Sequence, residues 1–244
     1  MDQNDSNKED AGGQVERQPE NLSSSGSKVR VAKRYTVDLS QEINALEHGL
    51  NQVVHVWDEE EERDLAAYLC VRRSLPRLSD TLTYKYNSHP NLLNFVTAQP
   101  LIDPSSNQEY MALIFENPKL VPLLDTLKSD VPFYKPEEIR TRILLPILDV
   151  LAGFEKSDMV HGAINLRNIY LKGEGREYEV VLGECLSAAV SKENPVLYEP
   201  IENGMCHGAG RGVGTIKNDL YSLGVCIAML TWKVNPLKEM SDKE

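Results

Sequence analysis

The hydrophobic residues of this 244-residue chain change their spacing about halfway along it. In the first half they form short runs of strand type, at positions 35–39, 53–57, 65–71, 92–98 and 111–115. From residue 136 onward they recur three or four positions apart, as they do along one face of a helix. A chain in which a run of strands is followed by helices is expected to adopt an α+β fold.

Two helices are predicted in the second half. The first begins at Pro136, because a proline followed by two glutamates suits the first helical turn, and its apolar pattern continues to Phe154. Pro146 lies inside this pattern and should kink the helix. The second helix, at 219–231, is apolar nearly all round, which predicts burial on every side.

Two segments are predicted to be solvated. Residues 1–30 combine many charged residues and serines with few apolar ones, so we expect a disordered tail. Residues 58–64 hold six acidic side chains and one arginine. Because crowded like charges need water, this run is interpreted as an exposed hairpin turn between two strands rather than as a binding patch.

Composition excludes several classes of partner and site. A formal net charge of -11 disfavours binding to nucleic acid, and the longest apolar stretches are far shorter than the ~18 residues of a membrane span. The N-terminus has no apolar run of the secretory type, so a cytoplasmic location is expected. The four cysteines form no CxxC pair, so the sequence predicts no zinc site and no disulfide scaffold.

A series of motifs in a characteristic order identifies the family that the chain resembles. The segment 159–171 contains His161, Gly162, Ala163 and Asn168, and it resembles the catalytic loop of eukaryotic-type protein kinases, His-Arg-Asp followed after four residues by Asn. Further segments resemble, in order, the His-Pro-Asn motif, the fifth strand with its hinge, the Asp-Phe-Gly motif, the Ala-Pro-Glu motif and the buried helix of the large lobe: 89–93, 113–116, 181–186, 198–202 and 219–225.

The resemblance implies a two-lobed protein-kinase-like fold. Residues 31–116 would form a small, antiparallel, β-rich N-lobe, and residues 117–244 a helical C-lobe. The family continues with further helices after the one at 219–231, so this C-lobe is expected to be truncated. We interpret the chain as a degenerate, bacterial-type member of the superfamily.

The sequence differs from the kinase pattern at the positions where the family has its catalytic and phosphate-binding residues. The aspartate that accepts the substrate proton is replaced by Ala163, and the arginine before it by Gly162. The lysine that pairs with the nucleotide phosphates falls on Cys70, whose thiol cannot replace an ammonium group. The glycine-rich loop is also missing, since 46–56 contains a single glycine. No catalytic residue is therefore predicted.

A degenerate nucleotide cleft is nevertheless implied by the resemblance. Cys70, Phe115, Glu116, Asn168 and Glu184 would line it, with Phe115 in the gatekeeper position. Asn168 and Glu184 stand where the metal-binding Asn and Asp belong, and their oxygens could hold Mg²⁺. ATP and Mg²⁺ are thus the candidate cofactors, neither of them required.

Three functions stay open at this point. The favoured one is a pseudokinase, a kinase-shaped scaffold that binds a protein partner and transfers no phosphate. The alternative is an unorthodox active Ser/Thr-type kinase that binds ATP and Mg²⁺ through Asn168 and Glu184. The third is an acidic adaptor unrelated to kinases, which the ordered series of motifs disfavours.

Overall fold

The computed structural model describes residues 27–47, 49, 51–71, 76–117, 119–173, 177–190, 197–198, 214–235 and 238. Nine strands and three helices are formed by these residues. The strands are β1 (Lys28–Val31), β2 (Tyr35–Glu42), β3 (Gln52–Asp58), β4 (Arg63–Cys70), β5 (Phe95–Ile102), β6 (Glu109–Glu116), β7 (Leu120–Pro122), β8 (Ile169–Lys172) and β9 (Glu179–Leu182). Short 3₁₀ turns occupy Asn44–Leu46 and Leu78–Asp80.

Helix α1 is Thr81–Tyr86, and helix α3 is Ile216–Trp232. Helix α2 is continuous over Pro136–Glu138, Ile139–Leu144 and Leu145–Lys156, and its middle part has π-type hydrogen bonding. The expected disturbance at Pro146 thus takes the form of a wide turn just before the proline, in which the Leu145 N–H bonds to the Arg140 carbonyl. Proline has no N–H to donate, so a widened turn next to it costs little.

Strands β1 to β6 form one antiparallel sheet in the order β1-β2-β3-β4-β6-β5. The sheet curls until its edge strands β1 and β5 approach each other. Alternation along β4 shows how the sequence fills both faces. Leu65, Ala67 and Leu69 point into the curl, whereas Ala66, Tyr68 and Cys70 point toward the rest of the molecule. Strands β2 to β6, which the apolar runs predict, are confirmed, whereas β1 is not among the predicted strands.

The second part of the chain holds a three-stranded sheet, β7-β8-β9, together with α2 and α3. We call the described residues up to 116 the N-lobe and those from 117 onward the C-lobe. The lobes meet where the Leu93 N–H bonds to the Leu182 carbonyl and the Leu182 N–H bonds to the Asn91 carbonyl, each at 2.8 Å. The fold is a mixed α+β, two-lobed, kinase-like arrangement, as the motifs predicted.

Three expectations need correction. The tail was expected to extend to residue 30, but β1 begins at Lys28 and pairs with β2, and residues 1–26 lie outside the described part. Helix α3 is not buried on every side, because Leu220 and Tyr221 are exposed. The acidic run is not wholly solvated either. Asp58 is fully buried and accepts two hydrogen bonds from the Arg34 guanidinium, at 2.7 and 2.6 Å, because β2 brings that arginine alongside.

Candidate functional site

The loop that resembles the kinase catalytic loop, within 159–171, is hydrogen-bonded to helix α3. Asp219, near the start of this helix, is almost fully buried and accepts the His161 N–H at 2.8 Å and the Gly162 N–H at 2.7 Å. Burial raises the pKa of Asp219 to about 6, and the two backbone donors oppose this rise. The carboxylate therefore fixes the course of the loop backbone.

His161 completes this brace from within the loop. Its Nδ1 accepts the Ala163 N–H at 3.2 Å, so Nε2 carries the proton and donates it to the Gly183 carbonyl at 3.0 Å. Gly162 has φ +74°, a conformation that glycine adopts without strain. The half-buried Ala163 packs against the core and brings no proton acceptor to this place. Asp219 and His161 thus hold the backbone of this loop in place.

Two tyrosines occupy the space between the N-lobe sheet and strand β8, which we call the inter-lobe cleft. Tyr68 on β4 and Tyr170 on β8 are both fully buried, and both hydroxyls donate to the Leu46 carbonyl, at 3.1 and 3.3 Å. The Leu46 side chain is itself 1% exposed and packs in the same core. Burial raises the pKa of both tyrosines, so they remain neutral hydrogen-bond donors.

Further contacts join the two sides of the inter-lobe cleft. The Arg167 guanidinium donates to the Glu47 carbonyl at 2.8 Å, next to the turn that carries Leu46. At the other side, the Asn51 amide donates to the Ser187 carbonyl at 3.0 Å, and the Cys70 thiol lies 3.1 Å from the same oxygen. Cys70, at the end of β4, thus contacts backbone of the C-lobe.

Phe115 and Glu116, the predicted gatekeeper and hinge residues, are the last two residues of β6. Phe115 is fully buried, with its ring 5.4 Å from that of Tyr68 and 6.1 Å from that of Tyr84. The Glu116 side chain accepts a hydrogen bond from Arg63 at 2.8 Å, and its backbone N–H donates to the Asn94 carbonyl at 3.0 Å. Phe115 therefore belongs to a packed aromatic cluster, and Glu116 is held by hydrogen bonds at the end of its strand.

Asn168 and Glu184, the predicted metal pair, are both fully buried. The Asn168 amide nitrogen donates to the Ala163 and Glu184 carbonyls, each at 2.9 Å, and a side chain on Gly183 would collide with the Asn168 Oδ1 atom. Glu184 Oε2 accepts the N–H groups of Leu186 and Ser187, at 2.6 and 2.8 Å. Mg²⁺ in proteins retains several waters, so side chains packed in this way do not fit that ion.

Among the described residues, no three His, Cys, Asp or Glu side chains converge as a metal site would require. Nor does the described part contain a helix of the length and apolarity needed to cross a bilayer. Three cavities, of about 1010, 580 and 200 Å³, lie among the described residues. The first is beside β1 and β5 and includes Cys70 in its lining, the second is beside α1 and the start of α3 and includes Arg77, and the third is beside 88–94 and includes Glu116.

Arg77 makes several contacts with the site that were not predicted from the sequence. It lies just before α1, is 8% exposed, and donates to the His161 carbonyl at 3.0 Å and to the Cys185 carbonyl at 3.4 Å. Asp80 binds its guanidinium at 2.7 Å. A lone arginine in a polar segment carries no sequence signal for such a role.

The other missed residues, Leu46, Asn51, Tyr68 and Tyr170, carry weak signals at best. Tyr68 and Tyr170 lie in predicted apolar segments, and only their polar hydroxyls hint at a buried partner. The predicted Ala-Pro-Glu-like segment, 198–202, is described only at Tyr198; 199–202 lie outside the described residues. Ser222 on α3 donates to the Tyr198 carbonyl at 3.0 Å.

Comparison with known proteins gives a fold. No protein-family model and no curated protein matches the sequence. Solved structures do match, among them three mutant forms of the kinase domain of PknI from Mycobacterium tuberculosis. The first has a TM-score of 0.63 and 15% sequence identity, over 88% of this chain and 80% of that one, and the other two have TM-scores of 0.59 and 0.58. The chain has a protein-kinase-like fold.

Proposed function

We propose that this protein is a pseudokinase, a kinase-shaped domain that binds a protein partner and transfers no phosphate. The observation that carries the proposal is the filling of the inter-lobe cleft by the protein itself. Tyr68, Tyr170 and the Leu46 turn form one buried, hydrogen-bonded group beneath the sheet, where a nucleotide would have to lie. Any nucleotide would have to displace this group and replace its hydrogen bonds.

The chemistry of the loop supports the same proposal. Ala163 stands in the place of the proton acceptor, whose loss typically lowers a rate by about 10²- to 10⁴-fold. Cys70 supplies a thiol where the phosphates would need a fixed positive charge, and that thiol contacts a backbone carbonyl. What the chain retains, Asp219 with His161, supports the loop and performs no transfer chemistry of its own.

Exposed apolar side chains on the N-lobe also support a protein that works by binding a partner. Helix α1 leaves Leu82 67% exposed and Tyr86 88% exposed, and Ile102 on the adjoining strand β5 is 52% exposed. Large apolar and aromatic side chains are the type enriched in protein interfaces.

One observation favours the alternative, an unorthodox kinase that uses Asn168 and Glu184. The Asn168 Oδ1 atom is buried and accepts no hydrogen bond from any described residue, so an oxygen ligand stands at one of the predicted metal positions. Its position against Gly183 argues that this atom is packed rather than poised for an ion.

A nucleotide-binding assay separates the two functions. Thermal unfolding is followed with ATP or ADP, with and without Mg²⁺ or Mn²⁺, alongside a radiolabelled phosphotransfer assay. A nucleotide at ~100 times its Kd would raise the Tm by about 5 °C or more in a domain of this size. We expect no shift and no transfer. A metal-dependent shift together with transfer that disappears in Asn168→Ala and Glu184→Ala would overturn the proposal in favour of the active kinase.

A further inference from the structure

Four consecutive backbone carbonyls, those of residues 184–187, are all hydrogen-bonded to groups outside this stretch. We call residues 184–187 the latch segment. The carbonyl of Glu184 accepts from the Asn168 side chain at 2.9 Å, and that of Cys185 from the Arg77 guanidinium at 3.4 Å. The carbonyl of Leu186 accepts from the Arg77 N–H at 2.8 Å. The fourth carbonyl, at 187, is the one that contacts Asn51 and Cys70.

Three of these four carbonyls are bound by the N-lobe. The donors come from separate places in it, namely Arg77 before α1, Asn51 at the start of β3 and Cys70 at the end of β4. A short stretch of the C-lobe is thereby tied to three elements of the N-lobe. Opening the lobes would break all of these hydrogen bonds at once and exchange them for bonds to water, and each such exchange has a net free-energy cost.

Glu184 determines the shape of the latch segment. One oxygen of its carboxylate, Oε2, accepts both the Leu186 N–H and the Ser187 N–H. These bonds close a tight turn, and the turn directs the Ser187 carbonyl toward the N-lobe. Both N–H groups converge on one oxygen of a buried side chain, so the two bonds depend on that side chain together.

We propose that Glu184 is a positioning residue that shapes the latch segment and so holds the two lobes in one fixed, closed arrangement. This inference rests on the proposed function, since in an active kinase the same position would carry a metal ligand and the lobes would have to open for the nucleotide. Here the carboxyl group of Glu184 instead accepts two backbone N–H groups of its own segment.

Amide hydrogen exchange of the full chain tests this directly, because the two N–H groups bound by Glu184 report on the turn. Removing both hydrogen bonds with Glu184→Ala should raise the exchange rates of the Leu186 and Ser187 amides by ~100-fold. Glu184→Gln is the conservative variant. Both N–H groups bind the same oxygen, which the amide retains, so its rates should rise by ~10-fold or less.

The N-lobe side of the latch segment is tested with a matched set of cysteine variants. Cys70→Ala removes the donor and should accelerate exchange across 184–190, whereas Cys70→Ser keeps a donor and should not. Cys226→Ala removes an equally buried thiol on α3 and should leave 184–190 unchanged. Should Glu184→Ala fail to fold, Glu184→Gln and the cysteine set still decide the matter.

The outcomes separate this inference from the proposed function. Unchanged exchange at Leu186 and Ser187 in Glu184→Ala would overturn the latch and leave the pseudokinase proposal standing. Slower exchange of the wild-type protein on adding ATP and Mg²⁺, abolished in Glu184→Gln, would overturn both, because Glu184 would then be a metal ligand. The expected pattern is acceleration in Glu184→Ala, near-normal rates in Glu184→Gln, and no effect of nucleotide on either.

Discussion

Replacing Asp219 by asparagine should change how the stability of this protein depends on pH. Asparagine keeps the shape of the side chain and one oxygen to accept a backbone N–H, but it carries no charge and does not titrate. The wild-type carboxyl group does titrate, in an environment made by the fold. The two proteins should therefore differ by an amount that varies with pH.

The magnitude follows from the pKa of Asp219. In the folded protein burial raises it from 3.8 to about 6, against the opposing effect of the Gly162 and His161 N–H groups. Because the folded state binds the proton more tightly, protonation stabilises the fold. This contribution is complete below about pH 3.8 and is lost as the pH rises through about 6. A difference of about 2 pKa units corresponds to about 3 kcal/mol over the whole window.

Urea unfolding of wild type and Asp219→Asn, measured in parallel from pH 7.5 down to 4.5, gives the test. Wild type should gain about 2 kcal/mol of unfolding free energy relative to the variant between pH 7 and 4.5. Effects of all other groups cancel in the difference, and the exposed Asp125→Asn serves as the control that should follow wild type. Parallel curves for wild type and Asp219→Asn would refute the reasoning, since they would mean that Asp219 has an ordinary pKa in the fold.

Three further predictions are tested by the same urea measurements at neutral pH. Arg77→Met should lower the unfolding free energy by about 3 kcal/mol, because buried carbonyls of the C-lobe lose their donor; a loss below ~0.5 kcal/mol would contradict this. Tyr170→Phe keeps the ring but removes its hydroxyl, and should cost about 1 kcal/mol; no loss would mean that the hydroxyl bond is not made in solution. Gly183→Ala should cost about 2 kcal/mol or more, because its Cβ would overlap the Asn168 side chain, whereas Gly224→Ala, in open space on α3, should stabilise by about 0.5 kcal/mol. Equal effects of the two glycine changes would show that the packing at Gly183 is not as described.

The strands and the long helices could be predicted because their signals are local. The nearly continuous apolar runs in 53–57 and 65–71 reflect a sheet with two packed faces, and β3 and β4 have that arrangement. The start of α2 at Pro136 follows from first-turn chemistry. Two predictions were wrong because the spacing of apolar residues does not show which elements pack together. Strand β1 pairs with β2 and so includes residues expected in the tail, and Leu220 on α3 is exposed rather than buried.

Some properties of the candidate site could likewise be predicted from the sequence, and others could not. The sequence alone establishes that the side chain of Ala163 cannot accept a proton and that Cys70 carries no cationic group, because the identity of a side chain limits its chemistry wherever it lies. The content of the inter-lobe cleft is different, since Leu46 and Tyr170 are 124 residues apart and share a hydrogen bond only because the lobes fold together. Long-range contacts of this kind depend on how whole elements pack. Sequence alone thus determined which reactions these side chains could perform, and the tertiary structure decided that tyrosine hydroxyls and a turn of the same chain would fill the space between the lobes.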